Sequence, residues 1–219
     1  MSNDILSKNQ INFLEKFGEE SALSLNFYLT GGTPLAAFYL NHRFSEDLDF
    51  FSEREIDVLA IDVFLKKYKL ELGINKIDYE QSFNRNLFFL HFQDEVLKIE
   101  FTFFPFSRIE QGVKNYGVVT DSLLDIAVNK LFTIYQRTKA RDYVDLFFIC
   151  EKKGYLIDDL IKKAKIKFDW HIDPLQLGVQ FIKAEEAEDW PKMIKPSDKK
   201  NLIAFFESEA KKFKNQILK

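Results

Sequence analysis

YLTGGTPLAAFYLNHRFSEDLDFFS, residues 28–52, decides how this chain is read. Residues 26–30 are a short apolar run of buried-strand length. Gly31 and Gly32 follow, and without Cβ atoms they permit a tight turn and let a ligand approach the backbone closely. Thr33 is placed to cap a helix and Pro34 suits the first helical position, so residues 35–40 are expected to continue as helix. A strand, a glycine turn and a helix start would aim N–H groups at one point, which favours an anion. Residues 47–51 then alternate polar and apolar. Side chains at i and i+2 share a strand face, so Asp47 and Asp49 point together while Leu48 and Phe50 point into the core. Two neighbouring carboxylates repel unless a cation lies between them, and oxygen-only ligands suit Mg²⁺, with Mn²⁺ as the alternative. Taken singly, Gly-Gly is a turn and Asp-x-Asp a solvated strand end. Their order and spacing together point to a site for a metal and the phosphates of a nucleoside triphosphate (NTP).

Two later segments add charge where it is informative. In residues 97–103, Leu97, Ile99, Phe101 and Phe103 share one strand face and Lys98, Glu100 and Thr102 the other. Glu100 is therefore a candidate third carboxylate beside Asp47 and Asp49, and three carboxylates would hold one or two metal ions for a phosphoryl displacement. The plain alternative is an alternating surface strand. In residues 121–136 the apolar helical stripe of Leu123, Ile126, Ala127, Leu131 and Ile134 also contains Lys130. On the next helix Asp142 and Asp145 fall on the same face as Leu146 and Ile149. Charges at core positions are costly unless paired. They imply a buried Lys130–Asp ion pair, a cleft wall touching the nucleotide or its acceptor, or both.

Composition bounds the rest. A hydrophobic content of 46% over 219 residues is ample for a packed core, and the 24 phenylalanines read chiefly as core. The formal net charge of −3 gives no global basic field for nucleic acid. The stretch from Glu151 onward is mildly basic and the remainder acidic. The single cysteine, Cys150, lies in an apolar run and is expected to be a buried thiol. A chain with one cysteine fits a reducing compartment. No secretory leader is read in MSNDILSKNQ and no apolar run reaches a membrane span, so a cytoplasmic protein without a membrane partner is expected. Helices are expected over residues 4–20, 55–70 and 198–218, and strands over 75–82, 87–93 and 97–103. That pattern gives a mixed α/β half, residues 1–117, and a helical half, residues 118–219, with breaks near Gly154, Pro174 and residues 191–196.

LTGGTPLA, HRFSEDLDFF, Lys98-Ile99-Glu100 and DIAVNKLFTIYQRTKARDYVDL (residues 125–146) together resemble the AbiEii/AbiGii toxin-type nucleotidyltransferases of the polymerase-beta-like superfamily, over roughly residues 26–150. The resemblance implies an α+β fold, with a nucleotidyltransferase-type mixed β-sheet flanked by helices and a C-terminal helical domain. It implies a catalytic set of Asp47, Asp49, Glu100, Lys130 and Asp142, with Asp47, Asp49 and Glu100 on the metal. It places Gly31, Gly32, Thr33, Arg43, Ser45, Lys98, Arg141 and Asp145 on the nucleotide. The family more often has aspartate where this chain has Glu100. His42 is read as a structural hydrogen-bonding residue. The implied activity is metal-dependent transfer of a nucleoside monophosphate from an NTP to RNA (such as tRNA) or to a protein, with release of pyrophosphate. The implied setting is the toxin of a toxin–antitoxin or phage-defence pair, with a cognate antitoxin as partner. The rival readings are a non-catalytic module that binds a partner or RNA, and a glycosyltransferase using Asp-x-Asp for a sugar nucleotide.

Overall fold

Strand alternation and helical periodicity divide the chain into two units in the computed structural model, which describes residues 5–196 and 198–217. The first unit takes the chain up to Phe38 together with Ser45–Ser122. The second takes Tyr39–Phe44 together with the chain from Leu123 onward.

The first unit is built on one sheet. Helix α1 (Lys8–Glu19) starts at a capping box in which the Ser7 side chain accepts from the Gln10 N–H and the Gln10 side chain accepts from the Ser7 N–H. The expected start at residue 4 lies outside the described residues. Then come α2 (Ser21–Ser24), β1 (Tyr28–Thr30), the single turn α3 (Gly32–Pro34) and a π-helical stretch, Leu35–Leu40. After β2 (Leu48–Ser52), the Asp57 side chain accepts from the Ala60 N–H and opens α4 (Val58–Tyr68). Strands β3 (Lys76–Ser82), β4 (Arg85–His91) and β5 (Val96–Phe103) form a meander, and β6 (Val113–Asn115) and β7 (Val118–Thr120) a short hairpin. The sheet has seven strands in the order β3-β4-β5-β2-β1-β7-β6. It is mixed: β2 runs antiparallel to β1 and parallel to β5. The β6–β7 hairpin was not expected from the sequence.

Phenylalanine fills this unit's core. The Phe17 ring lies 4.8 Å from Phe50, 5.5 Å from Phe64, 5.7 Å from Phe101 and 6.0 Å from Phe27, in tilted and edge-on arrangements. Such geometries suit the ring quadrupole. Phe50 and Phe101 face each other across β2 and β5, where the strand register pairs them. Burying the apolar face of β2 leaves its other face to Asp49 and Phe51, both half-buried.

The second unit is helical: α5 (Leu123–Gln136), α6 (Ala140–Lys153), α7 (Ile157–Phe168), α8 (Pro174–Ile182) and α9 (Lys199–Ile217). The expected end of α9 at Leu218 lies outside the described residues. The expected breaks have local causes. Gly154 takes a left-handed conformation, φ 68°, and closes α6 by donating to the Cys150 carbonyl at 2.7 Å. Pro174 stands at the start of α8, where the Asp173 side chain accepts from the Gln176 N–H at 2.9 Å. Helix α5 packs on α6, α7 and α8, and α9 packs on α6 and α8. Cys150 is buried as expected, and burial pushes its thiol up to about 12, with the charge of Glu209 adding to it. Among the described residues no helix is long and apolar enough to cross a membrane.

Candidate active site

The first unit brings the glycine turn and the aspartate strand together by register. Thr30 pairs with Asp49 across β1 and β2, so Gly31 emerges beside the Asp49 side chain. Gly31 has φ 82° and ψ −149°, a region open essentially to glycine alone. It also stands at the N-terminal cap of α3, where no side chain supplies a capping hydrogen bond. This corrects the capping role expected of Thr33. That residue lies inside the turn, and its hydroxyl is hydrogen-bonded to Ser45 Oγ at 2.9 Å and to the Asp47 carbonyl. The hydroxyl therefore ties the glycine turn to the segment that delivers the aspartates.

Three charged residues, Glu100, Lys98 and Arg85, accompany the aspartates. Asp49 pairs in register with Glu100 on the parallel strand β5, and paired residues turn their side chains to one face. Lys98 Nζ lies 2.8 Å from Asp47 Oδ2. Glu100 is engaged by a residue the sequence reading did not single out. Arg85 Nε and Nη2 donate to its two carboxylate oxygens at 2.6 and 2.5 Å, and the Thr102 hydroxyl donates to Oε1 at 2.8 Å. Burial pushes the Glu100 carboxyl up, but Arg85, Thr102 and the charge of Lys98 outweigh it and hold the group below the usual glutamate value. Hairpin arithmetic carried a signal for Arg85. The β4–β5 register sets Arg85 opposite Thr102, one diagonal step from Glu100, once the strand is begun at Arg85 rather than at Leu87.

Half-buried Asp47 and Asp49 offer oxygen donors of the kind a hard divalent cation takes, with one Asp47 oxygen, Oδ2, held by Lys98. Glu100 does not fit as a further ligand in this arrangement, because both of its oxygens are already engaged. Among the described residues no group of three His, Cys, Asp or Glu side chains is arranged to hold a metal ion.

The second unit contains the expected ion pair, enlarged into a network. Lys130 Nζ lies 2.7 Å from both Asp142 Oδ1 and Asp145 Oδ2. Arg43 holds Asp145 through two bonds, at 2.7 and 2.9 Å, and His42 Nε2 lies 2.8 Å from Asp145 Oδ1. Arg137, also absent from the sequence reading, contacts Asp142 at 3.1 Å. Burial alone would raise the Asp145 carboxyl, yet Lys130, Arg43 and His42 hold it well below its ordinary value. Burial lowers His42, and the charges of Arg43 and Lys130 lower it further against the pull of Asp145. Arg43 is fixed by the backbone too, through an antiparallel bridge to Met193 beside a Phe44 N–H bond to the Lys192 carbonyl at 2.9 Å. Arg141 is exposed on α6.

The chain is 31% identical over 167 residues to an uncharacterized protein of Aquifex aeolicus, covering 74% of this chain and 76% of that one. It shares its fold with JHP933 of Helicobacter pylori at a TM-score of 0.61 and 20% identity, over 99% of this chain and 94% of the other. A family model described as nucleotidyl transferase AbiEii toxin, type IV toxin–antitoxin system, matches residues 12–211. That span takes in both the glycine–aspartate site and the buried ion network. The protein is therefore a nucleotidyltransferase and belongs to the AbiEii toxin family.

Proposed function

We propose that the protein transfers a nucleoside monophosphate from an NTP to an acceptor hydroxyl on RNA, tRNA included, or on a protein. The acceptor oxygen bonds to the α-phosphorus and pyrophosphate leaves. The observation that carries this reading is the junction of Gly31 with Asp49, which sets a glycine turn against a carboxylate. Asp47 and Asp49 would hold Mg²⁺ or Mn²⁺. When bound, that ion supplies positive charge to the triphosphate. The backbone at Gly31, Gly32 and Thr33 receives the phosphates, and the Thr33–Ser45 contact keeps the turn in place. Lys98 limits the repulsion at Asp47. In the helical unit, Lys130, Arg43, Asp142 and Asp145 satisfy one another and act as positioning residues, whereas Arg141 on α6 is exposed to solvent. The setting we propose is a cytoplasmic toxin, used in phage defence and held in check by a cognate antitoxin.

Incubation of the protein with each labelled NTP, Mg²⁺ and cell extract tests the reaction. Label should enter RNA or protein with the wild type and not with the Asp47→Ala, Asp49→Ala double variant. Undiminished incorporation by that variant, with its fold intact, would sink the assignment. Replacing Mg²⁺ with EDTA should stop transfer as well.

A further inference from the structure

The Arg85–Glu100 pair is asymmetric. The Glu100 side chain is 8% exposed, while the Arg85 side chain is 47% exposed. The carboxylate is spent on holding the guanidinium, taking Nε and Nη2 on its two oxygens and the Thr102 hydroxyl on one of them. Arginine carries five N–H donors in a planar fork, and two of them account for the grip on Glu100. Nη1 makes no hydrogen bond among the described residues. Glu100 in turn is the register partner of Asp49, so Arg85 lies on the sheet face that carries Asp49. Glu100 first, and then the charge of Asp49, hold the guanidinium above its ordinary pKa.

The geometry points to Arg85 as a phosphate-positioning residue of the nucleotide site, anchored by Glu100, which in consequence is not a metal ligand. A fixed guanidinium with an open edge binds phosphate oxygens through paired charge-assisted bonds. A cation at Glu100 would have to displace Arg85 and then lie against it, which like-charge repulsion opposes. A buried carboxylate also costs least where it is bidentate to arginine and bonded by a hydroxyl, as Glu100 is. The glutamate side chain is long enough to meet Arg85 across the strand diagonal. The inference rests on the proposed NTP site at Gly31–Thr33 and Asp49.

Two binding measurements on the full chain test it: Mn²⁺ by electron paramagnetic resonance, and inorganic tripolyphosphate and four fluorescent NTPs by titration. Glu100→Gln should keep Mn²⁺ affinity within about threefold of wild type, whereas Asp49→Asn should lose about tenfold or more. Arg85→Ala should leave Mn²⁺ binding unchanged and weaken tripolyphosphate and NTP binding about tenfold or more. Arg85→Gln gives the same readout should Arg85→Ala not fold. A loss of Mn²⁺ in Glu100→Gln as large as in Asp49→Asn overturns the inference, and so does wild-type tripolyphosphate binding by the Arg85 variants. Either result leaves the NTP site standing. If the wild type binds neither tripolyphosphate nor any NTP, the inference and the proposed NTP site fall together.

Discussion

Gly31 and Asp49 abut so closely that a Cβ built on residue 31 would lie 2.7 Å from Asp49 Oδ2. Side chains do not tolerate that approach, so an alanine there must displace the carboxylate. Gly31 also occupies backbone angles that cost an ordinary residue about 1–3 kcal/mol. Gly31→Ala is expected to destabilise the first unit by about that amount and to weaken Mn²⁺ binding while Asp49 itself remains. Chemical denaturation and Mn²⁺ titration of the same variant check both parts. Wild-type metal affinity in a folded Gly31→Ala protein would show that the carboxylate does not work from this position.

Phe17 is the ring on which the first unit's core converges, with Phe13, Phe27, Phe50, Phe64 and Phe101 all within stacking range. Phe50 sits between Asp49 and Phe51 on β2, so this packing also fixes the strand that carries the aspartate. Phe17→Ala should cost about 3–5 kcal/mol. Phe83 is 97% exposed in the β3–β4 turn, and Phe83→Ala should stay within about 0.5 kcal/mol of wild type. Equal losses from the two substitutions in urea unfolding would contradict this account of the core.

What the sequence made legible followed from pattern length. β2, β5, α5 and α6 each hold enough alternation or helical period to place Asp49, Glu100, Lys130, Asp142 and Asp145 on the correct faces. His42 was read as structural, and its bond to buried Asp145 agrees. β6 and β7 were missed because each has three residues, too few to show a period. Their turn also hides its signal: Tyr116 and Gly117 both have positive φ, 51° and 77°, but tyrosine stands where Asn or Asp would have marked a hairpin. Arg85 was missed for a different reason. A counter-ion on a neighbouring strand is a property of register, and a start two residues late removes it from the strand. Thr33 was misplaced because composition favours it as a cap, whereas Gly31 reaches a conformation that threonine cannot.

Asp145 carries the second unit's most concentrated charge balance, facing Arg43, Lys130 and His42 with no exposure to solvent. Asp145→Asn keeps the shape and removes the charge, leaving two cations buried near a neutral amide. Breaking a buried pair from one side costs about 3–5 kcal/mol, and that is the expected loss for the second unit. The exposed Lys162–Asp159 pair on α7 is the control, and Asp159→Asn should leave the unfolding midpoint in place. A negligible effect of Asp145→Asn would mean that the network is not needed for folding and is kept for another purpose.

His42 gives the second unit a pH dependence whose direction follows from its burial. Its pKa is lowered from 6.5 first by burial, then by Arg43 and Lys130, so the fold holds a neutral imidazole that the unfolded chain would protonate. Between the folded value and 6.5 the unfolded state binds more protons, so stability rises with pH there. The contribution is complete above about pH 6.5 and shrinks as the pH falls from there through the folded value, with a slope of up to about 1.4 kcal/mol per pH unit. Asp145 shifts in the depressed direction, so its own contribution is lost only below about pH 4, as the pH falls toward its folded value. A series of unfolding curves between pH 5 and 7.5 therefore isolates His42. The wild type should lose stability steadily toward pH 5, and His42→Gln, which has no imidazole to protonate, should show a flatter profile from a lower starting point. Parallel profiles for the two proteins would remove His42 as the source of the acid sensitivity.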